Sequence, residues 1–138
     1  MKEWHFFDKV YRVWVVLIIG DHEELIKFME KIGYNDLDEL EKRDSSGMSI
    51  VLCDDNNTMG NRAHIVWLKK YETACLVHEL SHLVMAIFDD KGVPKGVPIR
   101  NENTETFAYY QEFWFNEIQR VRRRLPNGRK PSQVRKEA

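Results

Sequence analysis

Two histidines and a glutamate stand at a spacing that suits a metal-dependent hydrolase. They belong to an HExxH motif, His78-Glu79-Leu80-Ser81-His82. In a helix, residues four apart lie on one face, so both imidazoles can reach a single metal ion. Glu79 then lies beside that ion, where a carboxylate can take a proton from a metal-bound water. The motif predicts two zinc ligands, His78 and His82, and one general base.

The residues around the motif predict the helix that this chemistry needs. Between Glu72 and Asp89, apolar residues recur at helical spacing. A catalytic zinc ion takes three protein ligands and leaves one position for water, so a third donor must lie elsewhere. The residue ten positions after His78 is Phe88 and not histidine. This excludes the metzincin pattern, in which a third histidine stands there.

Three side chains are candidates for the third ligand. Cys75 lies on the same helical stripe as the two histidines, and its thiolate could close a structural zinc site. A buried small hydrophobic residue is the more common role of such a cysteine. Glu102 and Glu105 come later, at the start of a second predicted helix that begins at residue 103 or 104 and runs to about Leu125. Glu105 falls inside that helix, whereas Glu102 falls in or beside its cap.

Three segments resemble parts of known peptidases. The run from Asn103 to Tyr109 contains Glu105 and, three residues later, Ala108, and it resembles the second-helix element of gluzincins, where this Glu completes a His, His, Glu zinc site. Together with the run from Leu76 to Leu83, and with the opening residues 4–11, it is similar to small phage-encoded zincin metallopeptidases. The resemblance implies one Zn²⁺ per chain, held by His78, His82 and Glu105, and hydrolysis of a peptide or protein substrate.

The first half of the chain predicts strands and one helix. Residues 4–7 and 10–19 are rich in aromatic and β-branched side chains, and the second run is apolar on both faces, as in a central strand. Asp21 with Glu24 forms a capping-box pattern before a helix that Gly33 should end. A short helix is expected after Asp36.

A hairpin and two long helices complete the predicted order. Met48–Cys53 and Ala63–Leu68 predict two strands joined by a turn-rich segment. Glycines and prolines predict a loop at residues 90–101 between the two helices. The order predicts an α+β fold: one zincin-like domain with a small antiparallel or mixed sheet packed on the active-site helix and on a second, ligand-bearing helix. The resemblance further implies that the strand before the active-site helix, Ala63–Leu68, forms a sheet edge that pairs with substrate.

A catalytic site of this kind also needs a group that stabilises the oxyanion of the transition state. The sequence offers four candidates and favours none of them. They are His64, Arg100, Tyr109 and Tyr110.

Charge divides the chain into two parts. Residues 120–138 carry eight basic side chains against one acidic, although the whole chain has a net charge of −1. We expect a domain over residues 1–125 and a basic, disordered tail over residues 126–138. The stretch Arg120–Lys136 is a candidate for weak nucleic-acid contact. The alternative function is therefore a non-catalytic, zinc-stabilised binding module that uses this tail.

Composition limits the class of protein. With 138 residues, 43% of them hydrophobic, the chain can bury one core and is too short for two full domains. The longest apolar run, residues 13–19, is far shorter than the ~20 residues that cross a bilayer as a helix. Two cysteines are too few for a disulfide scaffold. We expect no membrane contact and a cytoplasmic location, in the host cytoplasm if the chain is phage-encoded.

Overall fold

The computed structural model describes residues 1–57, 62–92 and 101–137, and four of its strands form one mixed sheet. They are β1 (Lys2–Asp8), β2 (Val13–Ile19), β3 (Gly47–Leu52) and β4 (Ala63–Leu68), in the spatial order β1-β2-β4-β3. β1 pairs antiparallel with β2, β2 pairs parallel with β4, and β3 pairs antiparallel with β4. The predicted hairpin and the central position of β2 are confirmed.

In the described part of the chain, five helices accompany the sheet and confirm the α+β class. They are α1 (His22–Lys31), α2 (Leu37–Glu41), α3 (Thr73–Lys91), α4 (Asn101–Arg124) and α5 (Pro131–Glu137). The first four match predicted helices, although α3 extends two residues further and α4 begins two or three residues earlier than expected. Residues 93–100 of the predicted loop lie outside the described residues.

α1 begins where the capping-box pattern predicts. The Asp21 carboxylate accepts a hydrogen bond from the Glu24 amide at 2.8 Å, and the Glu24 carboxylate accepts one from the Asp21 amide at 3.1 Å. The helix ends at Lys31, and Gly33 follows with a φ of 71°. This left-handed conformation favours glycine because it has no Cβ.

The sheet separates two hydrophobic cores. One face packs against α3 and α4 and buries alternate residues of β2, such as Val15 and Leu17. The other face packs against α1 and α2 and buries the intervening residues, such as Val16 and Ile18. A strand buried on both faces reads as a continuous apolar run, which is why β2 has no polar alternation.

α3 and α4 run antiparallel along the first face. The ring of Phe88, late in α3, stacks on Tyr110 at 5.5 Å and meets Phe107 edge-on at 6.2 Å, both early in α4. Tyr71, just before α3, accepts a hydrogen bond from Gln119, late in α4. This register fixes which α4 residues lie beside the HExxH motif.

The predicted disorder of residues 126–138 is wrong for the part of that segment that the structure describes. Arg129 pairs with the edge strand β1: its amide donates to the Glu3 carbonyl at 2.9 Å, and its carbonyl accepts from the His5 amide at 3.0 Å. Arg129 and Val134 are both buried. Basic composition suggested a solvated tail, but backbone pairing on an open strand edge and one apolar anchor hold the segment against the domain.

None of the described helices is long and apolar enough to span a bilayer.

Candidate active site

The two histidines of the HExxH motif lie side by side on α3, facing away from the core. Their Nε2 atoms are 3.3 Å apart and their ring centroids 4.9 Å apart. Two ligands of a tetrahedral zinc ion, each at 2.0–2.1 Å, are separated by about 3.4 Å. The side chain of His78 is 70% exposed, so solvent and substrate can reach it. The His78 and His82 nitrogens are therefore spaced to share one zinc ion without rearrangement.

Glu79 lies beside the histidines but points back towards the sheet. Its Oε1 atom is 3.9 Å from Nε2 of His78, and the residue is only 6% exposed. Burial raises the pKa of the Glu79 carboxyl, while the two neighbouring histidines act to lower it. A carboxylate that is largely shielded from water and close to two imidazole nitrogens that could hold a metal ion has a placement that suits a general base.

Gly47, the first residue of β3, makes room for Glu79. A Cβ added to Gly47 would lie 3.2 Å from Cγ of Glu79 and 3.0 Å from the carbonyl oxygen of Trp67. Glycine is thus the residue that lets α3 bring the carboxylate this close to the sheet. Sequence reasoning assigned Gly47 only to the end of a loop, and no pattern in the chain signals its contact with the motif.

Gln111 is the α4 residue at the level of the motif. Its Nε2 atom donates to Oγ of Ser81 at 2.8 Å and lies 3.2 Å from the carbonyl oxygen of Val77. Glu105 precedes Gln111 by six residues, which is about 9 Å along the helix axis. Glu105 is exposed, near the end of α3 where Phe107 meets Phe88.

The described residues contain no group of three His, Cys, Asp or Glu side chains that could hold a metal ion. The structure brings together His78, His82 and Glu79 but does not bring Glu105 to the histidines. Cys75 turns towards the loop before β3, with Sγ 3.7 Å from Oγ of Ser46. Glu102 lies in the first turn of α4, where the structure does not describe side chains.

Glu112 is a carboxylate that sequence reasoning did not consider. It follows Gln111 directly and is exposed. Gln111 contacts Val77 and Ser81, which lie in the same turns of α3 as the two histidines. Of the α4 carboxylates with described side chains, Glu112 is therefore the one closest to the histidines when distance is measured along the helix axis. Only the register between the two helices, which no sequence motif encodes, identifies it.

The candidates for stabilising an oxyanion differ in how far their side chains are exposed to solvent. Tyr110 donates from its hydroxyl to Oδ2 of buried Asp8 at 2.6 Å, and burial raises its pKa further, so its hydroxyl belongs to the core. His64 is 5% exposed on β4, and burial lowers its pKa. Tyr109 is 66% exposed on α4. Arg100 lies outside the described residues.

The expectation that Ala63–Leu68 forms a sheet edge is wrong. β4 pairs with β2 on one side and with β3 on the other, so its backbone groups are already used. β3 is the edge strand on the side of Glu79. The parallel pairing of β2 with β4 places β4 inside the sheet, and the sequence does not reveal this non-local pairing.

Comparison of the chain with protein-family models, with curated proteins and with solved structures finds no match.

Proposed function

We propose that the protein is a zinc-dependent metallopeptidase that hydrolyses peptide bonds. The observation that carries this proposal is the 3.3 Å separation of the His78 and His82 Nε2 atoms, with the buried Glu79 carboxylate 3.9 Å from the first of them. A helix with two unrelated surface histidines has no need of a buried acid between them. Burying a carboxylate costs free energy unless it is compensated, so its placement here favours a functional role.

The donor set fits a zinc ion in part. His78 and His82 supply two imidazole nitrogens at the right separation, and we propose Glu105 as the third ligand. Glu105 would have to approach the histidines from the first turns of α4. Glu112, Glu102 and Cys75 are the alternatives to it. When bound, zinc would lower the pKa of a water molecule towards 7 and polarise the carbonyl of the substrate.

Glu79 acts as the base in this proposal. Its carboxylate takes a proton from the attacking water and then delivers it to the leaving amine. The packing of α3 on β3 restricts the motion of the side chain and keeps bulk water from its inner side. A raised pKa makes the carboxylate a stronger base than a solvated glutamate, which favours proton abstraction near neutral pH.

The edge strand β3 offers a way to align an extended peptide. The carbonyl of Ser46 accepts a hydrogen bond from the Lys69 amide, so Ser46 faces β4 and alternate residues face outward. Of the outward carbonyls, those of Gly47 and Val51 accept local side-chain bonds from Ser45 and Asn56. Ser49 lies between them. A substrate added to this edge would therefore pair with the backbone of Ser49.

The alternative function, a zinc-stabilised binding module, relies on a free basic tail, and several basic residues of the C-terminal segment are held within the fold. Arg129 is buried, and Lys130 forms an ion pair with Glu3 at 3.2 Å. The guanidinium of Arg122 lies 3.6 Å from the ring centroid of Tyr71. These basic groups are used within the fold and do not form a free arm. Nucleic-acid contact through Arg120–Lys136 stays a prediction.

Cleavage of a peptide library by the zinc-loaded protein tests the proposal. Wild type should cut a defined subset of peptides, and Glu79→Gln should retain zinc but lose about 10³-fold or more of the turnover, because it removes the base and keeps the shape. Glu72→Gln, an exposed position just before the same helix, is the matched control and should cut like wild type. Equal cleavage by wild type and Glu79→Gln would contradict the proposal.

A further inference from the structure

A large groove crosses the face of the sheet opposite α3. Its volume is about 930 Å³. His5, Val16 and Ile65 lie side by side in its floor on three neighbouring strands; Val16 and Ile65 are buried, and His5 is partly exposed. With strands ~4.8 Å apart, this part of the floor is about 10 Å wide, which accommodates one peptide segment. α1 forms one wall, and the residues that begin α5 form the other.

Except for His5, the floor of the groove is apolar, and so is the lower part of one wall. Trp14 and Val16 of β2 continue the floor, and Phe28 and Ile32 of α1 form the lower part of the wall. Phe28, Ile32 and Trp14 are each only partly buried. Partly exposed apolar side chains that converge in one concave surface are typical of a binding site and not of a solvated face.

The rim of the groove is strongly cationic. Lys27 and Lys31 stand on the α1 side, and Arg135 stands on the α5 side. All three are exposed, and none forms an ion pair with another residue that the structure describes. Lys130 and Arg62 also line the groove, each with an acidic partner, Glu3 and Asp54 respectively. The positive charge is thus spread along both sides and is not gathered at one end.

This distribution of charge selects the kind of ligand. A fatty acid carries one carboxylate and needs cations at one end only, whereas cations along both sides match several negative charges along a chain. A nucleic acid would stack its bases on open aromatic rings, but Trp14 and Phe28, which line the groove, are both partly buried, and Trp14 packs on Phe7 at 5.0 Å. Glu3 and Glu24 also line the groove, but Glu3 is paired with Lys130 and Glu24 with the amino group of Met1, so the cations of the rim remain in excess.

We propose that this groove binds an acidic segment of a partner protein, in which glutamates or aspartates alternate with aliphatic residues. The aliphatic side chains contact the floor between α1 and α5, and the carboxylates pair with Lys27, Lys31 and Arg135. The site is independent of the HExxH motif, because the sheet separates the two.

Fluorescence anisotropy with labelled synthetic peptides of about ten residues tests this site. A peptide of alternating Glu and Leu should bind saturably, with a Kd below about 1 mM. A Glu/Ser peptide, which lacks the apolar side chains, and a Lys/Leu peptide, which has the opposite charge, should each bind at least about tenfold more weakly. These comparisons use the wild-type protein, so they do not depend on the folding of any variant.

Reversing the charge of rim residues tests whether the peptide binds in this groove. The double variant Lys27→Glu, Lys31→Glu should weaken binding of the Glu/Leu peptide by about tenfold or more. The matched control Arg43→Glu, Lys69→Glu reverses two exposed charges outside the groove and should bind like wild type. Glu79→Gln should also bind like wild type, which separates this proposal from the peptidase.

Three results would overturn the proposal. They are the absence of saturable binding by the Glu/Leu peptide, equal losses in the two double variants, and binding of a single-stranded oligo-dT in place of the peptide.

Discussion

Replacing Gly47 by Ala should disturb Glu79 specifically. The added Cβ would lie 3.0 Å from the Trp67 carbonyl oxygen, 3.2 Å from Cγ of Glu79 and 3.2 Å from Cδ2 of Leu68. These distances are about 0.2–0.4 Å shorter than the shortest ordinary van der Waals contacts of a carbon atom. The Trp67 oxygen belongs to the backbone of an internal strand and cannot move alone. The methyl group will therefore push β3 and Glu79 away from each other.

Two opposite contributions set the size of the effect. Gly47 is not among the glycines with positive φ, so Ala can adopt its backbone conformation and should gain about 0.4–1 kcal/mol from reduced freedom of the unfolded chain. Overpacking of a filled site costs about 1–3 kcal/mol. The net expectation is a loss of about 1 kcal/mol in the free energy of unfolding, measured by urea titration. Turnover of a cleaved peptide should fall about tenfold because the base is displaced.

The sign of the stability change decides the test. If the variant gains about 0.4–1 kcal/mol in stability and keeps its turnover, Gly47 is not packed against Glu79 and does not position the carboxylate. Ser49→Ala, two residues further along the same strand, is the control. It should leave stability and turnover close to those of wild type, since only its backbone is assigned a role.

Three further predictions concern the packing that supports the site. The hydrogen bond from His5 holds the pKa of the Glu3 carboxyl at about 2, against an ordinary 4.5, so the charged group stabilises the fold above pH 4.5 and loses this effect as the pH falls towards 2. Glu3→Gln should cost about 1–2 kcal/mol at pH 7 and almost nothing at pH 2 in urea titrations, and equal costs at both pH values would contradict the pairing. Tyr110→Phe should cost about 2 kcal/mol by the same measurement, since it leaves the buried Asp8 carboxylate without its hydroxyl donor, and an unchanged midpoint would show that this bond contributes nothing. Removal of residues 126–138 should lower the melting temperature by several degrees, whereas an unchanged value would mean that the segment does not pack on β1.

The juxtaposition of the two histidines could be predicted from the sequence because it is local. A separation of four positions along one helix fixes the relation between His78 and His82, and apolar spacing identifies that helix. The capping box of α1 and the central position of β2 are equally local, and both were predicted correctly. Local patterns also sufficed for the α+β class.

The remaining features depend on contacts between distant parts of the chain. The burial of Glu79 depends on Gly47 of β3, and the edge position of β3 depends on the parallel pairing of β2 with β4. The amino-acid composition of the C-terminal segment shows its basic charge, which is typical of a solvated tail, but does not show which backbone groups pair with a strand. Arg129 bonds to the edge of β1 through main-chain groups, which carry no sequence signal.

Zinc binding by His78 and His82 can be measured directly as the zinc content of the protein. Mass spectrometry of the purified, zinc-reconstituted protein should give about one zinc per chain for wild type and Glu79→Gln, and none for His78→Ala or His82→Ala. Glu105→Ala should also lose the metal, and retention there with loss in Glu112→Ala would move the third ligand to Glu112. A wild-type protein that binds no zinc, or a His78→Ala variant that binds as much as wild type, would contradict the account.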